Sequence, residues 1–248
     1  MRKVILGGFL LVVLMVFLLP GSVVFEAWSA GDGGTISGVV KFKGAAPAPR
    51  KLDITKDKEV CAKQHLYDES LVVDKNSSGV RWVVVSVLGA KAQAPKAAPE
   101  LVMDNKACEF TPHVLLVPVG SSLKVFNSDG ILHNTHLTPT EKKNVDENKA
   151  LPAFLTKQKK PAVFGERYFQ KPENIKVTCD VHSWMTGWIV VTDSLAAVTD
   201  KGGGFKLTDV PPGTYTVEVW HETLGRQSQK VTVKAKEEVK VAFELAKK

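Results

Sequence analysis

The stretch NIKVTCDVHSWMTGWIVV reads as two β-strands joined by a loop that carries Cys179, His182 and Met185 at intervals of three residues. Cys179 ends the first strand with its sulfur turned inward, His182 sits in the turn, and Met185 opens the second strand. Three donors from one loop need a fourth from elsewhere, so the chain must lay a distant strand beside this pair. His133 is the candidate, because it follows LKVFNSD, in which Leu123, Val125 and Asn127 share one face. A thiolate, two imidazoles and one thioether suit a single copper ion in a trigonal site with a weak axial sulfur. Thiolate and thioether favour Cu(I) and imidazole also accepts Cu(II), so a mixed set holds both states in one geometry. The competing reading makes Cys179 a small buried hydrophobe or a disulfide partner.

FNSDGILHNTH and TCDVHSWMTGWIVV together resemble the cupredoxins, most closely their plastocyanin and amicyanin branch. The two-residue gap between His182 and Met185 is similar to the short amicyanin loop. The resemblance spans Leu101 to Asp193 and includes EFTPHVLLVPVGSSLKVFN, similar to the family's second and third strands. It implies a type 1 copper site with His133, Cys179 and His182 in the trigonal plane and Met185 on the axis. It also implies that Asn134 ties the two loops together, and that His182, beside Trp184, lies near the surface where electrons pass. The lysine-rich segment from Thr140 to Pro161 departs from the family pattern and leaves the middle strands undefined.

After Asp193 the pattern changes to short strands punctuated by GGG and PPG turns. Tyr215, Val217 and Val219 alternate, as do Val239, Val241, Phe243 and Leu245, so each set gives a strand with one buried face. TDKGGGF followed by VPPGTYTVEV resembles the carboxypeptidase regulatory-like family, a small transthyretin-like β-sandwich that implies a non-catalytic companion module. The opening GTISGVVKFKG, with Ile36, Val39, Val40 and Phe42 apolar, has two possible homes: it completes the C-terminal sandwich, or with Arg81 to Leu88 it belongs to the copper sandwich. The expected fold class is therefore all-β, a cupredoxin Greek-key β-sandwich plus a small transthyretin-like β-sandwich. The expected organisation is a signal peptide or anchor at 1–30, an N-terminal β segment at 31–98, the copper domain at 99–193 and the regulatory-like domain at 194–248.

Arg2 and Lys3 ahead of the apolar run Val4 to Leu19, then Pro20 and AWSAG, read as an export signal, either cleaved or kept as a membrane anchor. The expected location is periplasmic or secreted. In such a space Cys61 and Cys108, left over once Cys179 is a ligand, are expected to pair. The formal net charge of +7, densest at Lys157, Lys159 and Lys160, has no aromatic-basic interleaving that would suggest nucleic acid; an acidic protein redox partner fits better. His221 and Glu222 do not make a zincin, since H-E-x-x-H on a helix would need a histidine where Gly225 stands. No G-x-S-x-G elbow or P-loop is present, and no enzymatic activity is expected. His136 should turn away from His133, and His113 and His65 are expected in solvent. The leading reading is an exported carrier of single electrons; copper delivery without redox cycling and a purely structural β-sandwich are the alternatives.

Overall fold

The structure, a computed structural model, describes residues 32–63, 66–91, 100–153 and 160–247. The expected signal segment, His65, most of the 92–100 linker, Lys157 and Lys159 lie outside the described residues. Two strands come first, β1 (Gly34–Phe42) and β2 (Val84–Lys91). There follow β3 (Leu101–Lys106), β4 (Glu109–Thr111), β5 (Val114–Pro118), β6 (Leu123–Asn127), β7 (His133–Pro139), β8 (Glu147–Leu151), β9 (Ala162–Phe164), β10 (Glu173–Thr178) and β11 (Thr186–Thr192). The last group is β12 (Ser194–Val198), β13 (Gly204–Val210), β14 (Gly213–His221), β15 (Gly225–Val233) and β16 (Glu238–Leu245). The fold is all-β, and among the described residues no helix is long and apolar enough to cross a membrane.

Strands β3 to β11 form one sandwich, with sheets ordered β5-β11-β10-β7-β8 and β4-β3-β6-β9. Its core joins Met103, Phe110, Leu123 and Val125 of one sheet to Leu137, Ile175, Val177 and Ile189 of the other. Leu123, Val125 and Asn127 do face inward together, as the alternation of LKVFN requires. The lysine-rich segment supplies one strand, and a second begins directly after it. Glu147–Leu151 pairs with β7 and Ala162–Phe164 with β6, and each alternates too weakly to be read as a strand alone.

The second sandwich takes its sheets from both ends of the chain. β1 lies between β13, antiparallel, and β16, parallel, while β2 lies between β12 and β14 with β15 beyond. Ile36, Val40 and Phe42 of β1 and Val85 and Val87 of β2 are buried in one core with Leu207, Val217, Val219 and Phe243. The opening strands thus join the C-terminal sandwich, and the segment between Lys91 and Ser194, which pair with each other, is spliced into it. The GGG turn is a packing requirement. Gly203 has φ 79, its carbonyl accepts a hydrogen bond from Val40 N, and a Cβ there would lie 2.4 Å from Val40 O.

The two sandwiches stack back to back. Val84 of one and Val114 and Val190 of the other are buried between them, with Trp188 packed edge-on against Trp220 at a centroid distance of 5.1 Å. This explains the unbroken apolar run in β11: Ile189 and Val191 fill their own core while Trp188 and Val190 face the neighbouring sheet. His113 belongs to this seam rather than to solvent, correcting the expectation for it. It is 3% exposed and hydrogen-bonded to Glu222, whose other oxygen accepts from Trp188 Nε1 at 2.7 Å. Glu222 therefore serves as a pin between sandwiches.

Burial of neighbouring His221 pushes its imidazole down to about 4, and its Nδ1 accepts from the amides of Thr223 and Leu224. It stays neutral in the folded chain while an unfolded histidine protonates below about 6.5. Stability from this group is thus complete above pH 6.5 and is lost as pH falls to about 4, by about 3 kcal/mol. His221→Asn, which keeps an acceptor near Nδ1 and does not titrate, is expected to flatten that part of the profile. Thermal unfolding of both proteins at pH 7 and 4.5 checks this, and an unchanged difference would overturn it.

Candidate metal centre

Pairing between β7 and β10 builds the site. The antiparallel register sets Thr178 opposite His136, and continuing it past the strand end brings the 179–182 loop to His133. Met185 N donates to His182 O at 2.9 Å and Cys179 N to Met185 O at 3.3 Å, which closes the loop on itself. Asn134 ties the two segments, since its Oδ1 accepts from Asp180 N at 2.7 Å, Val181 N at 3.3 Å and Cys179 Sγ at 3.3 Å. Its Nδ2 donates to Asn148 and Asp180. The amide of a residue beside the first histidine thus holds the loop that bears the second.

His133, Cys179 and His182 converge from these two segments and are buried, the two histidines completely. Cys179 Sγ lies 3.9 Å from His133 Nδ1 and 3.8 Å from His182 Nδ1, and the two Nδ1 atoms are 3.0 Å apart. A triangle with those edges has its centre about 2 Å from each corner, within the usual range of metal–nitrogen and metal–sulfur bonds. Met185 is 2% exposed in the same core. The second grouping of ligand-type atoms, Cys108 with Asp129 and His133, is no separate site because Cys108 is bonded to Cys61.

Each imidazole is backed by a carboxylate. His133 Nε2 donates to Asp129 Oδ2 at 3.0 Å, and His182 Nε2 donates to Asp57 Oδ2 at 2.8 Å. Carboxylates accept only, so the ring protons belong on the Nε2 atoms and both Nδ1 lone pairs face the centre. Two lone pairs and a sulfur facing one another form an arrangement that a cation resolves, so the residues present fit a soft or borderline metal ion.

The charge balance points the same way. Burial pushes the Cys179 thiol up, but the neighbouring His133 imidazole and the amides of Asn134, His182 and Val181 outweigh it and leave the thiol below its ordinary value. Burial pulls His133 down, and its bonds with Asp129 and Cys179 outweigh that, so the site attracts positive charge. Burial lowers His182, and neighbouring His133 adds to this against the opposing pull of Asp57. His136 turns away from the centre, 29% exposed, between Asp146 and Asp180.

The expected exposure of His182 is not found. Its ring is covered by Asp57 on one edge and by Trp184, at a centroid distance of 5.1 Å, on its flank. Trp184 itself is half-buried and donates to Cys108 O at 3.2 Å, so it packs the site instead of rimming an open port. Sequence reasoning missed both aspartates. Asp129 stands four residues before His133 in the turn NSDG, a spacing that offers a clue; Asp57, 125 residues from its partner, offers none.

A two-sandwich all-β chain with a buried Cys–His–His cluster that can hold a metal ion is the class this fold and site define. Residues 189–246 match the family model of the carboxypeptidase regulatory-like domain. Among solved structures the chain is similar to a copper-containing nitrite reductase from Thermus scotoductus SA-01, at 21% identity and a TM-score of 0.31, over 42% of this chain and 24% of that one. It spans about a quarter of that protein's length. It is also similar to a purple cupredoxin from Nitrosopumilus maritimus (18% identity, TM-score 0.29, 38% of this chain and 100% of that one). An oxidized mutant amicyanin is a third (18% identity, TM-score 0.31, 44% and 98%). No curated protein matches the chain.

Proposed function

We propose that the chain is an exported type 1 copper protein that carries single electrons between protein partners. One copper ion would be held by His133, Cys179, His182 and Met185. The observation that carries this is the buried triangle of one sulfur and two Nδ1 atoms, with edges of 3.0 to 3.9 Å, assembled from two separate segments. Copper bound there would supply a one-electron couple; the residues hold the geometry constant while it changes state. The division into an inserted copper domain and a regulatory-like sandwich completed by the N-terminal strands belongs to the same reading.

A carrier is favoured over a delivery protein because the ligands are sealed. A cargo ion has to leave, and both histidines are wholly buried and tied through Nε2 to carboxylates. Catalysis is disfavoured because Met185, as a fourth ligand, would leave no open position for a substrate. With His182 covered, the approach to the cluster is the shallow groove lined by Leu132, His133, Ala150 and Val181, where Leu132 is 46% exposed. An acidic redox protein suits the net charge of +7. Voltammetry of the copper-loaded protein tests the role. A reversible wave with rapid self-exchange supports the carrier, whereas transfer of Cu(I) to an acceptor without a wave overturns it in favour of delivery.

A further inference from the structure

Residues 50–63 lie over the metal centre, and residues 66–68 return beside their start. The neck of this loop is fastened by Leu52 N to Leu66 O at 3.0 Å, Asp68 N to Arg50 O at 2.8 Å and the Arg50–Asp68 ion pair. Its underside, Leu52, Ile54, Val60 and Leu66, packs on the core of the copper sandwich, and Cys61 bonds covalently to Cys108. At the loop's tip Asp57 takes left-handed backbone angles, φ 46 and ψ 45, and its carboxylate reaches His182 Nε2 at 2.8 Å. Left-handed backbone is uncommon for a residue with a side chain, and aspartate and asparagine tolerate it best.

Resting on the copper reading above, we infer that this disulfide-anchored loop is a built-in clamp on the metal centre, with Asp57 as the positioning residue for His182. Three effects follow from the one hydrogen bond. It fixes the tautomer that leaves Nδ1 free to bind, it holds the ring against rotation, and it makes Nδ1 a stronger donor. The clamp also brings a second anionic group beside the centre, matching Asp129 behind His133. Two carboxylates favour the higher charge state of a bound ion, so the clamp lowers the reduction potential as well as tightening the grip. It closes the edge of His182 at the same time, which directs partners to the His133 side.

The test compares Asp57→Asn with Asp53→Asn, an equal charge change at an exposed position of the same loop. Asparagine retains the left-handed backbone and the side-chain shape and loses only the charge. Cu(I) affinity is measured against a chromophoric chelator, and the potential by voltammetry. Ring 15N shifts of His182 in the metal-free protein report the tautomer. Asp57→Asn is expected to weaken Cu(I) binding about 10- to 100-fold and to raise the potential, with Asp53→Asn unchanged in both. The metal-free wild type is expected to carry its His182 proton on Nε2. Equal affinity and potential in wild type and Asp57→Asn, or a proton on Nδ1, overturns the clamp while leaving the copper site standing. A wild-type chain that takes up no copper overturns the site itself and the clamp with it.

Discussion

Serine in place of Cys179 is expected to remove the intense visible absorption of the copper-loaded protein entirely and to end stabilisation by copper. The sulfur is the sole soft anionic ligand of the set, and only a thiolate gives both that absorption and a firm hold on Cu(I). Its surroundings are already arranged for the anion by the amides of Asn134, Val181 and His182, whereas a serine hydroxyl stays protonated there. Fold and ligand loss separate cleanly, because the serine hydroxyl can still donate to Asn134 Oδ1 and so keep the loop closed. With free copper a thousandfold above its Kd, linkage adds about 4 kcal/mol to the wild-type folded state and nothing to the variant. Absorption and paramagnetic resonance spectra, with melting curves with and without copper, make the comparison. A visible band that survives in Cys179→Ser would overturn the assignment of the sulfur.

Removing the Cys61–Cys108 bond with the double variant Cys61→Ser, Cys108→Ser is expected to cost about 4 kcal/mol of stability, given a sequence separation of 47 residues. For a sandwich of about 90 residues that lowers its melting midpoint by about 20 °C. The consequence reaches the metal from both sides. Cys61 lies four residues after Asp57, which backs His182, and Cys108 N donates to the same Asp129 oxygen that backs His133. A single covalent bond thus joins the supports of two ligands, so copper affinity is expected to fall together with stability. Scanning calorimetry and chelator competition measure the two effects. Stability lost with affinity intact would mean that the loop is only a structural strap.

Much of the sandwich of β3 to β11 is legible in local patterns. Alternation in LKVFN and the ligand row after NIKVT suffice to place His133, Cys179 and His182, because strand period and ligand chemistry coincide there. Pairing across long separations is not legible: GTISGVVKF has the same alternation whichever sheet it joins, and only its partners on β13 and β16 give it a home. His113, in the turn TPHV without ligand-type neighbours in sequence, reads as solvated, and the seam that buries it is a product of two sheets stacking. Asp57 escaped for the same reason, as its role comes from a loop held in place by a remote cysteine.

The order in which this chain can mature follows from the partners of β1. Gly34–Phe42 emerges early, yet its two neighbours, Gly204–Val210 and Glu238–Leu245, both come after residue 193. Contacts of such long range close last. The spliced sandwich, whose pairings all fall between residues 101 and 192, has no such wait. A nascent chain halted after residue 193 would therefore present a finished metal-binding body trailing an unmatched ribbon, and only further synthesis would give that ribbon its flanks.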